Sequence, residues 1–168
     1  LKDARKMPLA AVELDDCFKE VSFLFEQSLK NKQISLEFKN NLSPNTKVMA
    51  DQTSLVHSVL SNLVSNGIKF TSPHSKIVIT AHEKAKNIIL EVRDEGPGIS
   101  QEMIADIMQN KELISSEGTM GEKGTGLGLS IVKSYVDSYG GQMEIDSSFM
   151  LAQTTKQGTN FRITLDKA

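Results

Sequence analysis

Little in this chain would cross-link it, anchor it or draw it to a polyanion. Cys17 is the single cysteine in 168 residues, so no internal disulfide can form. The chain therefore reads as intracellular, with Cys17 a helix residue and not a nucleophile. Lys and Arg together number 19 against 21 Asp and Glu, a net charge of -2, and without a broad basic field no nucleic-acid partner is expected. No apolar run approaches the ~20 residues that cross a bilayer, and no signal peptide is present. The first residue is Leu1 and not methionine, which suggests a piece excised from something longer. Internal repeats and low-complexity blocks are also missing. What is left suits one compact domain, large enough to bury a core without disulfides or metal.

Glycine, by contrast, is concentrated in one place. The stretch from Gly118 to Gly141, GTMGEKGTGLGLSIVKSYVDSYGG, feeds a glycine-rich polar segment into the pattern of an amphipathic helix starting near Gly126. Gly124, Gly126 and Gly128 alternate with Thr125, Leu127 and Leu129, leaving few Cβ atoms to hold a ligand off the backbone. Free N–H groups and the positive dipole end at a helix N-terminus suit phosphate oxygens. A glycine run also makes loops that bind nothing, and two common phosphate-loop patterns do not match. In the closest approach to a Walker motif, Lys123 precedes Gly124 where it should follow, and no strand precedes Gly118 as a Rossmann turn requires.

The rest of the chain alternates helix and strand patterns. Residues Leu1 to Pro8 are polar and end in proline, as a connector would. Cys17, Phe18, Val21, Leu24, Phe25 and Leu29 recur at three and four, predicting a helix from about Leu14 to Lys30. Ile34, Leu36 and Phe38 alternate with polar residues as a half-buried strand, Asn40 to Asn45 turns, and a short strand runs through Val48 to Ala50. Asp51 suits the N-cap of a helix from Gln52 to about Ile68, with Leu55, Val56, Val59, Leu60 and Leu63 as its core stripe. Ser58, Asn62, Asn66 and Lys69 share one face beside that stripe. Asparagine is a poor helix former and needs partners beside a core, so the pair is either functional or bonded to neighbouring loops.

Two strands then form a hairpin by alternation: Ile77, Ile79 and Ala81 on one side, Lys84 to Asn87 turning, and Ile88, Leu90 and Val92 on the return. Asp94 shares the parity of those apolar residues, so its carboxylate points toward the buried face, where an unpartnered charge is costly. Gly96, Pro97 and Gly98 follow, leaving open backbone beside it; an aspartate capping its own turn is the alternative. Gln101 to Ile114 is a weak amphipathic helix, and the polar Ser115 to Lys123 stretch suits a lid. In the glycine helix Leu129, Ile131, Val132, Tyr135 and Val136 supply the apolar side, with Gly140 and Gly141 ending it. Met143 and Ile145 mark one strand and Phe161, Ile163 and Leu165 another, across a polar loop from Ser147 to Gly158.

Four of these segments, in this order, resemble the ATP-binding catalytic domain of sensor histidine kinases, in the superfamily shared with DNA gyrase, Hsp90 and MutL. Asn62 to Thr71 (NLVSNGIKFT) is similar to the family's N box, Asp94 to Ile99 (DEGPGI) to its G1 box, Gly124 to Leu129 (GTGLGL) to its G2 box, and Gly158 to Phe161 (GTNF) to its closing strand. The likeness covers about Val12 to Leu165. It implies a two-layer α/β sandwich of the Bergerat type, a mixed sheet of about five strands with about three helices on one face. Residues 1–11 would be a connector from an upstream dimerisation and phosphoacceptor domain, and 12–168 the catalytic domain.

The resemblance also implies roles. Asn66 would ligate Mg²⁺ through its amide oxygen, Asp94 would accept from the adenine amino group, Lys69 would reach the phosphates, and Phe70 would lie near the base. Gly96, Gly98 and Ile99 would flank the base, and Gly124, Thr125, Gly126, Leu127, Gly128 and Leu129 would hold the phosphates. Thr159 would help the Asp94 site. Asn62 stands where hydrolytic members carry a water-activating glutamate, which favours transfer to a histidine over ATP hydrolysis. Catalysis would then rest on Asn62, Asn66 and Lys69. The implied partners are a histidine-containing dimerisation domain, normally part of the same homodimeric polypeptide, and a response regulator. The piece itself would be monomeric, and either cytoplasmic or the cytoplasmic part of a membrane-bound sensor. A hydrolytic or serine-phosphorylating relative, or a non-catalytic nucleotide sensor, are the alternatives.

The sequence departs from the family in three ways. Gly67 replaces the usual alanine at a helix-stability cost of ~1 kcal/mol. No phenylalanine box is recognisable in Ile104 to Lys123. No phosphoacceptor segment is present: His82-Glu83 imitates its histidine-acidic pair but lies in a strand near a turn, and His57 and His74 have no such context.

Overall fold

The computed structural model describes residues 7–109, 128–147 and 158–168. The expected lid and the glycine-box residues Gly124, Thr125, Gly126 and Leu127 lie outside them. Five strands form one mixed sheet in the order β2-β4-β5-β7-β6: β2 Ser35–Asn40, β4 Lys76–Lys84, β5 Asn87–Asp94, β6 Gln142–Ser147 and β7 Thr159–Asp166. Only β2 and β4 run parallel; every other neighbouring pair is antiparallel. A two-stranded ribbon, β1 Ala10–Val12 with β3 Val48–Ala50, lies beside β7, to which Val48 is bridged through Lys167. β1 falls in the stretch read as connector and was not foreseen as a strand.

Strand alternation puts the core on one side of the sheet. Ile77, Ile79 and Ala81 of β4, Ile88, Leu90 and Val92 of β5, Phe161, Ile163 and Leu165 of β7 and Met143 of β6 are all buried. The residues between them are mostly polar and more exposed. Four helices cover the apolar side and complete a two-layer α/β sandwich: α1 Leu14–Lys32, a composite α2, α3 Gln101–Met108 and α4 Gly128–Ser138. α3 falls within the weak amphipathic helix read from Gln101 to Ile114, brings the helices to four where about three were expected on this face, and buries Ile107. Among the described residues no helix is long and apolar enough to cross a membrane.

α2, which bears Asn62, Asn66, Lys69 and Phe70, is not uniform. Gln52–Ser54 opens it, with Asp51 accepting from the Ser54 N–H as the sequence predicted. Leu55–Leu60 is then a π-helical turn, and Ser61–Phe70 returns to α geometry. The Ser61 N–H and hydroxyl both donate to the Val56 carbonyl, so the widened turn leaves that acceptor satisfied. The cause is readable afterwards in the spacing: Leu55, Val59 and Leu63, and Val56, Leu60 and Val64, are all buried at intervals of four. An ideal α-helix drifts roughly 40° with every such step, and the wide turn absorbs part of the drift.

Two other expectations change. Ile131, assigned to the apolar side of α4, is 39% exposed, while Leu129, Val132 and Val136 face inward: the helix buries a narrower stripe than its apolar residues could fill. Both α1 and α2 also run two residues longer than predicted, to Lys32 and Phe70. Cys17 is buried in α1, and burial pushes its thiol up to about 12, as an inert core residue requires.

Candidate functional site

The C-terminal half of α2, the turn after β5, the start of β7 and the N-terminus of α4 meet at one end of the sandwich. Asp94 is their common neighbour. It ends β5 with its side chain on the core side, 7% exposed, paired in register with Ile77 on one flank and Thr159 on the other. Its Oδ1 accepts from the Gly96 N–H at 2.9 Å, and the Thr159 N–H also hydrogen-bonds the carboxylate. Burial nevertheless wins over these donors and holds the carboxyl above its ordinary value. Two backbone donors leave a carboxylate with acceptor capacity to spare.

Glycines permit the segments to come this close. A Cβ on Gly67 would lie 2.8 Å from Ile77 Cδ1 and 3.6 Å from Asp94 Cβ, so the residue after Asn66 rests directly against the aspartate strand. One on Gly96 would meet the Phe70 carbonyl oxygen at 3.4 Å, which joins the turn to the end of α2. One on Gly158 would fall 2.3 Å from the Asp94 carbonyl oxygen, a distance no side chain tolerates. Gly98 has φ +88°, a conformation other residues adopt only at a cost.

The asparagine face of α2 reaches α4. Asn62 Nδ2 donates to the Ser58 carbonyl, turning Oδ1 toward Gly128, where an added Cβ would approach it to 2.9 Å. Asn66 and Lys69 lie further along α2, both half-buried, and the Lys69 ammonium sits 4.8 Å from the Phe70 ring centroid. Leu129 is buried beneath the start of α4 and Ile99 beyond the turn. Gly67, Phe70, Asp94, Gly96 and Thr159 are thus linked by contact, with Asn66 beside Gly67; Asn62 and Gly128 form a second contact, joined to the first through α2. Gly124, Thr125, Gly126 and Leu127 lie outside the described residues.

Sequence reasoning missed two residues that hold this end of the molecule together. Lys32, the last residue of α1, is 5% exposed, and its Nζ donates to the Ile68 and Lys69 carbonyls at 2.6 and 3.0 Å. It meets carbonyls that a helix end leaves without intrahelical partners, with a cation at the negative end of the dipole. A lysine in the last turn of an amphipathic helix reads as a solvated charge, so nothing local marked it. Ser147 ends β6, and its hydroxyl accepts from the Ile99 N–H at 2.7 Å.

A magnesium-bound nucleotide fits this chemistry. Among the described residues no group of three or more His, Cys, Asp and Glu could cage a metal. Magnesium held mainly by phosphate and water needs only one or two hard oxygen donors from protein, and Asn66 offers one. At Gly128 the missing side chain leaves room for the Asn62 amide, which an added Cβ would meet at 2.9 Å.

Residues 50–168 match the family model described as histidine kinase-, DNA gyrase B-, and HSP90-like ATPase. The chain is 34% identical over 109 residues to sensor protein SrrB of Staphylococcus aureus, across 65% of this chain and 18% of that protein. It spans less than a fifth of the length of the curated relatives it matches. The nucleotide-free catalytic domain of histidine kinase ThkA superposes with a TM-score of 0.77 at 27% identity, covering 95% of this chain and 98% of that one. Full-length ShkA in complex with AMPPNP gives 0.75 at 25% identity, covering 98% of this chain and 33% of that one.

Proposed function

Because the chain belongs to the histidine kinase-, DNA gyrase B- and HSP90-like ATPase family, we propose that it binds Mg-ATP and passes the γ-phosphoryl group to a histidine on a separate dimerisation domain. It would act as the catalytic module of a two-component sensor histidine kinase, upstream of a response regulator. The observation that carries this reading is Asp94, a buried carboxylate with two backbone donors and lone pairs left to accept another, set against the helix that bears Asn66 and Lys69.

Each residue has a distinct task. Asp94 takes the amino group of adenine, and Phe70, Gly96, Gly98 and Ile99 shape the site around the base. Lys69 places a positive charge for the phosphates, and Gly128 and Leu129, which open α4 with Gly128 against Asn62, supply backbone N–H donors to them. Asn66 supplies an amide oxygen to magnesium, which when bound neutralises phosphate charge. Positioning and charge neutralisation are what phosphoryl transfer chiefly asks of a protein. Asn62 cannot take a proton from water near neutral pH, and its amide is engaged with Ser58, so transfer is favoured over hydrolysis.

The test is incubation with γ-labelled ATP and isolated histidine-containing dimerisation domains. Acid-labile label on those domains is expected; inorganic phosphate released at the same rate with or without them would make the chain a hydrolase instead.

A further inference from the structure

We propose that Ser147 is a positioning residue for the base end of this nucleotide site, an inference that rests on the ATP-binding reading above. Ser147 stands at the C-terminal end of β6, opposite Thr159 in register. Its Oγ accepts from the Ile99 N–H at 2.7 Å, and lies 3.3 Å from the Gly158 carbonyl oxygen and 3.3 Å from Thr159 Oγ1. A hydroxyl has one proton to give and two lone pairs to receive. Here the proton has Gly158 as acceptor, and the lone pairs receive the Ile99 N–H and the Thr159 hydroxyl. Three segments remote in sequence are therefore tied at one oxygen.

The arrangement bears on Asp94 from both sides. The Thr159 N–H is one of its two backbone donors, and the Gly96 N–H is the other. Gly96 opens the turn that Ile99 closes, with Gly98 between them at φ +88°. The carboxylate holds the turn at its near end and Ser147 holds it at its far end, while Ser147 also steadies the Thr159 strand. Removing the hydroxyl leaves the far end of the turn held by the buried Ile99 side chain and the Ser100 cap but without its bond to the Ile99 N–H, and the direction of the Asp94 carboxylate loosens with it. Ser147 itself touches neither base nor phosphate; it acts through Ile99 and Thr159.

Asp94 distinguishes bases by accepting from an exocyclic amino group, whereas guanine presents a carbonyl oxygen at the same ring position. The triphosphate is common to both nucleotides. A fault confined to the base end must therefore weaken ATP more than GTP, which a general loss of structure would not do. The experiment is calorimetric titration of this chain, unsubstituted and as S147A, S147T and S147C, with Mg-ATP and Mg-GTP, alongside thermal melts.

S147A is expected to lose about tenfold in Mg-ATP affinity, the effect of one lost hydrogen bond to the site's frame, and to lose a similar factor in preference for ATP over GTP. S147T, which keeps the hydroxyl, should retain both. S147C offers a weaker acceptor and should fall between, so the order threonine, cysteine, alanine tests the idea even if one variant folds poorly. Equal affinity and preference in S147A and the unsubstituted chain overturn the inference. So does an equal loss for both nucleotides accompanied by a lowered melting temperature. If the unsubstituted chain binds no Mg-ATP, the proposed function falls first and this inference with it.

Discussion

Replacing Lys32 by methionine should unfasten the end of the helix that carries the site. The change keeps an unbranched side chain, one atom shorter, with most of its volume, and removes its donors and charge. The Ile68 carbonyl, which receives the shorter of the two bonds at a buried position, would lose that donor, at ~1–3 kcal/mol. The Lys69 carbonyl is part-buried and can recover water. Loss of a cation at the helix C-terminus adds ~0.3–1 kcal/mol, and relief from desolvating an ammonium offsets part of the sum. A net loss of ~2 kcal/mol corresponds to a fall in melting temperature of ~4–8 °C for a chain of this size. Calorimetry reads that fall directly. Amide hydrogen exchange reads its location, because the lesion should deprotect the last turn of α2, where Thr71 N–H bonds the Gly67 carbonyl, before the sheet. Mg-ATP affinity should decline in step, since Lys69 and Phe70 belong to that turn. A variant melting within ~1 °C of the parent, with its α2 terminus still protected, would refute the argument.

Asp94→Asn should abolish nucleotide binding while stabilising the empty chain at neutral pH. Burial raises the native pKa of Asp94, so the folded state holds its proton longer than the unfolded state, and the parent loses stability as pH rises through the native value. The melting difference between variant and parent should therefore shrink as pH is lowered through that value; a difference that widens toward acid would reject the assignment. Asn66→Ala, which removes the oxygen donor, should largely remove the magnesium dependence of nucleotide binding, and near-parental titrations with and without the metal would reject the ligand role. Gly67→Ala gains ~1 kcal/mol of helix propensity but drives a methyl to 2.8 Å from the buried Ile77 Cδ1, an overpacking cost of ~1–3 kcal/mol. Paired with Ile77→Val the gain should reappear, and strict additivity of the two changes in denaturant melts would exclude the contact.

Much of the fold was legible because its elements advertise themselves locally. The hairpin of β4 and β5 follows from alternation alone, and the same count of two sent Asp94 to the inner face, where the structure has it. Asp51 announced the start of α2 by its residue type. Three motifs in family order carried the sandwich architecture, and the match over residues 50–168 agrees with it. The π turn in α2 was missed because a repeat of four and a repeat of 3.6 look alike until they are followed for several turns. Ile131 was misplaced because apolarity says which residues could be buried, not how wide a stripe the neighbouring helices will cover.

The division between the two kinds of information has a physical basis. Helix and strand patterns, caps and turn glycines depend on residues a few positions apart, so composition and spacing along the chain determine them without reference to the rest. Lys32 meeting the carbonyls of Ile68 and Lys69, Ser147 meeting Ile99 and Thr159, and Gly128 making way for Asn62 join segments far apart in sequence. A polar group's partner across such a distance is chosen by how helices and sheet pack and not by its own neighbours. That choice was made only when the layers closed.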